Sequence, residues 1–146
     1  MAEVGEALTL ERRLSAPVSA VYEAITDPQK LGRWLAPGNM VAEEVIAEVR
    51  VGGTLRIAMR DPDTGNSHIT NGVYHEVVPG QRLVHTWQWE DSEHETLVTI
   101  DLSALDSATT LLRLTHARFP GTGMRDQHKA GWHACIGKLS DAIGAG

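Results

Sequence analysis

From Gly123 to Ile143 the apolar or small residues fall at Met124, Gly131, Trp132, Cys135, Ile136, Leu139, Ala142 and Ile143, mostly at steps of three, four and seven. On a period of 3.6 residues these positions share one face. Arg125, Asp126, Lys129, Lys138 and Asp141 fall mostly on the other. Pro120 and Gly121 punctuate the start of this predicted helix, and Gly144 and Gly146 close it. At 1.5 Å per residue, a helix of about 20 residues is roughly 30 Å long, enough to cross a small sheet. Its apolar stripe needs a surface of matching size.

The rest of the chain predicts one. Residues 7–14 (ALTLERRL) place Leu8, Leu10 and Leu14 among charged positions and predict a strand with one wet face. Pro17 suits the first turn of a helix, with Ser15 or Ala16 just outside, so 18–26 is a short helix with Val18, Val21, Tyr22 and Ile25 as its stripe. Asp27 as N-cap and Pro28 at N1 start a second, whose Leu31, Trp34 and Leu35 share a side before Pro37-Gly38 ends it. The period then becomes two. Residues 41–51 are rich in Val and Ile and predict a strand closed by Gly52-Gly53. Residues 54–60 alternate Leu55, Ile57 and Met59 against Thr54, Arg56, Ala58 and Arg60. After a turn at 61–66 come strands at 68–78 and 82–90, separated by Pro79-Gly80. Beyond the polar loop 91–93, strands at 96–102 and 109–116 centre on Val98, Ile100, Leu102, Leu112, Leu114 and His116.

The order is strand, two short helices, six strands and one long helix. That order predicts an α+β fold: a six- to seven-stranded antiparallel sheet whose inner face takes the final helix. Residues 1–146 contain no repeat, linker or low-complexity tract and predict a single domain. In strand 68–78 only one parity can face inward; Val73 and Val77 favour the odd set, which would leave Tyr74 and Glu76 at solvent or a dimer edge.

Composition narrows the role. A chain of 146 residues with 42% hydrophobic and 22% charged residues suits one globular core. A formal charge of -6 argues against nucleic acid as a partner, because that binding needs concentrated Lys and Arg. No apolar run approaches the ~20 residues of a membrane span. Acidic residues in MAEVGEALTLERR stand where a secretory signal needs a basic start, and Cys135 is the single cysteine, so a cytoplasmic protein is expected. Four Trp against two Tyr and one Phe is a skewed aromatic set, suited to the walls of a concave site or to a core.

The chemistry-bearing residues gather around the predicted inner face. Leu83, His85, Trp87 and Trp89 share one side of their strand, so an inward His85 could meet a ligand carbonyl or hydroxyl, or simply pair with a neighbouring strand. His128 and Trp132 are one helical turn apart, and His116 ends the strand that leads into that helix, which could bring His116 and His128 to one pocket mouth. His85, His116 and His128 lack the tight spacing and carboxylate partner of a metal site, and none is expected. Acid/base catalysis would draw on His85 and His128, with Tyr74, Glu76, Arg56 and Arg113 as further candidates. Cys135 lies on the buried stripe and reads as a small core residue rather than a nucleophile. Without a nucleophile elbow, phosphate loop or dinucleotide turn, no cofactor is expected. Gly131 and Gly137 cost about 1 kcal/mol each inside a helix, which close approach to the sheet or room for a ligand would explain.

The segments APVSAVYEAITDPQKLGRW, VGGTLRIAMRDPDTG, NGVYHEVVPGQRLVHTW, TLLRLTHARFP and HKAGWHACIGKL, in that order from about Leu8 to Leu139, carry a family resemblance. The chain resembles the SRPBCC or START-like (Bet v 1-like) superfamily, and within it the activator of heat-shock protein 90 ATPase homologue-like branch. The resemblance implies a helix-grip fold, in which a curved sheet wraps the long C-terminal helix and two short helices close one end. It also implies a cavity for a small hydrophobic or aromatic molecule between helix and sheet. Trp34, Met59, His85, Trp87, Trp89, His116, Met124, His128, Trp132 and Cys135 are the residues expected around it. The superfamily also holds lipid carriers and polyketide cyclases, so a cyclase-like enzyme working from the same cavity is the second expectation. A protein-interaction module, as a homodimer or with a chaperone, is the third. The larger eukaryotic co-chaperones of this branch carry an additional N-terminal domain that has no counterpart here, which ranks a chaperone partner last.

Overall fold

The computed structural model describes residues 6–144; the predicted helix stop at Gly146 lies outside them. The elements are β1 (Glu6–Leu14), α1 (Val18–Thr26), α2 (Pro28–Trp34), β2 (Val41–Ala47), β3 (Thr54–Arg60), β4 (Ser67–Val78), β5 (Arg82–Trp89), β6 (Thr96–Asp106), β7 (Thr109–Phe119) and α3 (Thr122–Gly144). All seven strands form one antiparallel sheet in the order β1-β7-β6-β5-β4-β3-β2. This is the α+β helix-grip architecture, with α1 and α2 carrying the chain from one sheet edge to the other.

Local chemistry places the two short helices. Pro17 occupies the N-cap of α1, one position earlier than its expected place inside the first turn. The Asp27 side chain accepts from the backbone N–H of Gln29 at 2.9 Å and Lys30 at 3.4 Å, and Pro28 is the first residue of α2. That caps two of the donors a helix start leaves unpaired. Trp34 is buried and donates its indole N–H to the Ala24 carbonyl at 3.0 Å, locking α2 onto α1.

The sheet departs from the expected pattern in four places, the simplest being β6, which runs on to Asp106, four residues past Leu102. β2 stops at Ala47, because the 48–53 loop folds back: Gly52, with φ of 85°, donates to the Tyr74 carbonyl at 2.8 Å. β7 runs three residues beyond His116 and ends on the fully buried Phe119. In β4 it is Tyr74 that is buried, while Val73 is 43% exposed, so the odd set does not face inward throughout. The cause is a β-bulge: Tyr74 pairs with His85 and Glu76 with Val84, which leaves His75 as the extra residue. A bulge flips the parity, and so Tyr74 and Val77 both pack on the core. Glu76 faces out and pairs with Arg82 at 3.0 Å.

The core lies between the inner sheet face and α3. Leu14, Val21, Ile57, Leu83, Val98, Leu112, Leu114 and Leu139 are its most deeply buried aliphatic residues. From α3 it receives Trp132, Cys135, Ile136 and Leu139; in the last turn Ile143 reaches the core, whereas Ala142 is exposed despite its place on the stripe. The backbone of α3 approaches β1, β7, α1 and α2 most closely. The helix therefore leans toward the β1 side, away from β3, β4 and β5.

Two glycines meet opposite constraints. A Cβ on Gly72 would sit 2.0 Å from the Thr86 carbonyl oxygen, whereas one on Gly137 in α3 would meet nothing within 4 Å. Close approach therefore does not explain the helix glycines. Gly72→Ala must push β4 off β5 and should destabilise the protein by about 3 kcal/mol or more. Gly137→Ala should instead stabilise it by about 0.5–1 kcal/mol through helix propensity. Urea denaturation of the two variants checks both, and equal behaviour would contradict this account.

Candidate functional site

The gap left by the lean of α3 is a cavity of about 560 Å³, within the range of small-molecule sites. Leu35, Pro37 and Met40, from the connection between α2 and β2, form one side. The sheet contributes Met59 from β3, His68 from β4, and Trp87 and Trp89 from β5, followed by Asp91 and Ser92 from the turn after it. α3 adds Met124, Gln127, His128, Gly131, Trp132 and Cys135. The rings of Trp87 and Trp89 meet edge to face, with centroids 5.6 Å apart and planes at 88°. Trp87 and Trp132 lie 5.1 Å apart with planes at 49°. The three indoles therefore stand as walls rather than as a stack.

Seven of the ten residues expected around a ligand line this cavity: Met59, Trp87, Trp89, Met124, His128, Trp132 and Cys135. Trp34, His85 and His116 stand behind its wall. Trp34 is held by Ala24, as described. His85 is buried against Tyr74, with ring centroids 5.5 Å apart, and its Nδ1 donates to the Thr86 carbonyl at 2.9 Å. It borders a void of about 10 Å³, the size of a single water. His116 is wholly buried rather than at the mouth.

His116 is the centre of a hydrogen-bond relay whose direction is fixed by its partners. Trp132 is donor-only and gives its Nε1–H to His116 Nδ1 at 2.9 Å. His116 therefore carries its proton on Nε2 and donates to Thr96 Oγ1 at 2.6 Å. Thr96 in turn donates its hydroxyl hydrogen bond to the Trp87 carbonyl at 2.8 Å. Burial, and then the nearby His128 and His85, hold the His116 pKa at about 2. A second Trp–His bond runs the other way: Trp89 Nε1–H donates to His128 Nε2 at 2.9 Å, and His128 Nδ1–H donates to the Met124 carbonyl at 2.9 Å. Burial lowers the His128 pKa, against the opposing pull of its bond to Met124.

Both nitrogens of His116 and of His128 are thus engaged within the protein. As members of a metal triad, they have no lone pair to offer without breaking these bonds. His85 has its pKa lowered to about 4 by burial, partly offset by the Thr86 bond. Burial pushes the Cys135 thiol up to about 12, with Lys138 opposing, so it lines the cavity as a neutral, unreactive group. The other acid/base candidates divide between core and surface. Tyr74 is buried with its phenol pKa raised by desolvation. Arg56 bonds Glu44 at 2.9 Å and Glu90 at 2.6 Å on the outer sheet face, and Arg113 lies 3.6 Å from Glu11 there.

Sequence reasoning missed the cavity's mouth. Met40 precedes a strand and Asp91 and Ser92 sit in a hairpin, so none of these three belongs to a periodic face; His68, the second residue of β4, pairs with Met59 on the part of the strand before the bulge. The available signal was adjacency: Asp91 and Ser92 directly follow the inward-facing Trp89.

The profile of the family described as "Activator of Hsp90 ATPase homolog 1-like protein" matches residues 15–144. No curated protein sequence matches the chain. Among solved structures, protein CV1439 from Chromobacterium violaceum superposes with a TM-score of 0.87 at 29% identity, over 94% of this chain and 96% of that one. CalU16 from Micromonospora echinospora gives 0.74 at 27% identity, over 95% and 74%. DynU16, from the dynemicin biosynthetic locus, gives 0.73 at 25% identity, over 92% of this chain and 45% of that one.

The relay and the depressed histidines make stability depend on pH. Unfolded histidines take up protons below about 6.5, whereas folded His85 and His116 stay neutral to about 4 and about 2. Stability is therefore full above about pH 6.5 and falls as pH drops toward about 4, by about 1.4 kcal/mol per pH unit for each of the two. Urea unfolding at pH 7.5, 6 and 5 measures this slope; equal stability at all three would contradict it. Two threonines give a second check. Thr96→Val removes a relay member and should cost about 1–3 kcal/mol. Thr70→Val removes a buried hydroxyl that has no partner among the described residues, so it should be neutral or raise the melting temperature.

Proposed function

We propose that this protein, which belongs to the Activator of Hsp90 ATPase homolog 1-like family, binds a small hydrophobic or aromatic molecule between its sheet and α3. The observation that carries the reading is the cavity of about 560 Å³, walled by Trp87, Trp89, Trp132, Met40, Met59 and Met124. A void of that size left empty would forfeit the contacts of its lining. Aromatic and thioether side chains favour flat, polarisable ligands. Two polar groups, Ser92 and Gln127, sit where they can orient such a ligand. The likeness to a protein of the dynemicin biosynthetic locus supports a small-molecule role over a purely structural one. A cyclase-like reaction through His85 and His128 has less support, because His85 lies outside the cavity and both His128 nitrogens are already bonded. General acid/base work needs a nitrogen within reach of the substrate.

A thermal-shift screen with lipophilic and aromatic compounds, followed by native mass spectrometry, tests the reading. A ligand present at 100 times its Kd should add about 2.7 kcal/mol, or roughly 5–10 °C for a chain of this size. Gly131 lines the cavity, and a Cβ there would meet nothing within 4 Å. Gly131→Leu should therefore fill the cavity, keep the protein folded, and cut ligand binding at least about tenfold. Identical responses from the wild type and this variant, or no ligand at all, would sink the proposal.

A further inference from the structure

We infer that the ligand is a hydrophobic, ring-bearing amine, bound with its protonated nitrogen at the mouth beside Asp91; this rests on the ligand-binding reading above. The argument is one of charge. Among the described residues lining the cavity, Asp91 is the only one with a formal charge at neutral pH, and no Lys or Arg lines it. Three cations of the flanking elements are engaged elsewhere. Lys138 donates to the Ala36 carbonyl, Arg56 to Glu44 and Glu90, and Arg125 to Glu6 and Asp126. The hairpin that forms this part of the mouth, residues 90–95, carries Glu90, Asp91, Glu93 and Glu95. Glu90 is neutralised by Arg56 at 2.6 Å, but Asp91 has no such partner among the described residues.

An anionic ligand such as a fatty acid would enter against this field and find no cation inside, and an unpaired buried charge is costly. The histidines do not rescue it: protonating His128 Nε2 would break the bond from Trp89. An ammonium group meets the opposite conditions. It has Asp91 as counter-ion, and the indoles of Trp87, Trp89 and Trp132 line the same space, where aromatic rings attract a cation. The apolar body then occupies the Trp- and Met-lined interior.

Three fluorescent probes of one skeleton separate the possibilities at pH 7.5: 1-pyrenemethylamine, 1-pyrenemethanol and 1-pyrenecarboxylic acid, titrated against the wild type, Asp91→Asn and Glu93→Gln. The amine should bind about tenfold more tightly than the alcohol, and the carboxylate more weakly than either. Asp91→Asn should level amine and alcohol while leaving the alcohol unchanged. Glu93→Gln, the same charge change outside the cavity lining, should preserve the preference. Binding of the alcohol with no amine advantage, or equal loss in Asp91→Asn and Glu93→Gln, would overturn the charge inference and leave the cavity reading standing. Failure of all three probes, and of the broader screen, overturns both.

Discussion

Two hydrogen bonds between tryptophan and histidine hold α3 against the sheet, and they run in opposite directions. Trp132 on the helix donates to His116 on β7, and Trp89 on β5 donates to His128 on the helix. Each requires a neutral imidazole with its acceptor nitrogen aimed at an indole N–H. The first is extended through Thr96 to the Trp87 carbonyl, so the register of α3 over the sheet is specified by polar geometry as well as by apolar area. Hydrophobic burial is non-directional; a relay with every member satisfied is not.

The same residues that fix the helix also shape the cavity. Trp87, Trp89, Trp132 and His128 each make a structural contact on one side and line the space on the other. Their position follows from the lean of α3 toward β1, which closes the core on that side and leaves the cavity between α3 and β3 to β5. His128 at the wall and His116 behind it are thus both engaged in holding α3 to the sheet. The polar groups available to a ligand lie at the mouth instead, on a turn and at strand and helix ends, where no packing requirement claims them.

Much of this was legible in the sequence. The period-two stretches of β3 and β5, the Asp27-Pro28 helix start and the α3 stripe are local signals, because they depend on spacing and capping that act within a few residues. Ordered segments across the chain added the family, and with it the helix-grip arrangement. The inward face of β5 could be read because four large residues share one parity. The face of β4 could not. Its parity changes at the bulge around His75, an irregularity of the pairing between β4 and β5 that no local spacing announces.

The sequence by itself therefore determined which segments are strands and helices, which faces are apolar, and that Trp132 and His128 share a side of α3. Tertiary structure alone decided which of those apolar faces meet protein and which meet space. His85 and Trp87 have the same parity and neighbouring positions, yet one is sealed against Tyr74 and the other borders the cavity. Periodicity reports the direction in which a side chain points. Whether anything stands there depends on the distance between α3 and the sheet, which is set by contacts far apart along the chain.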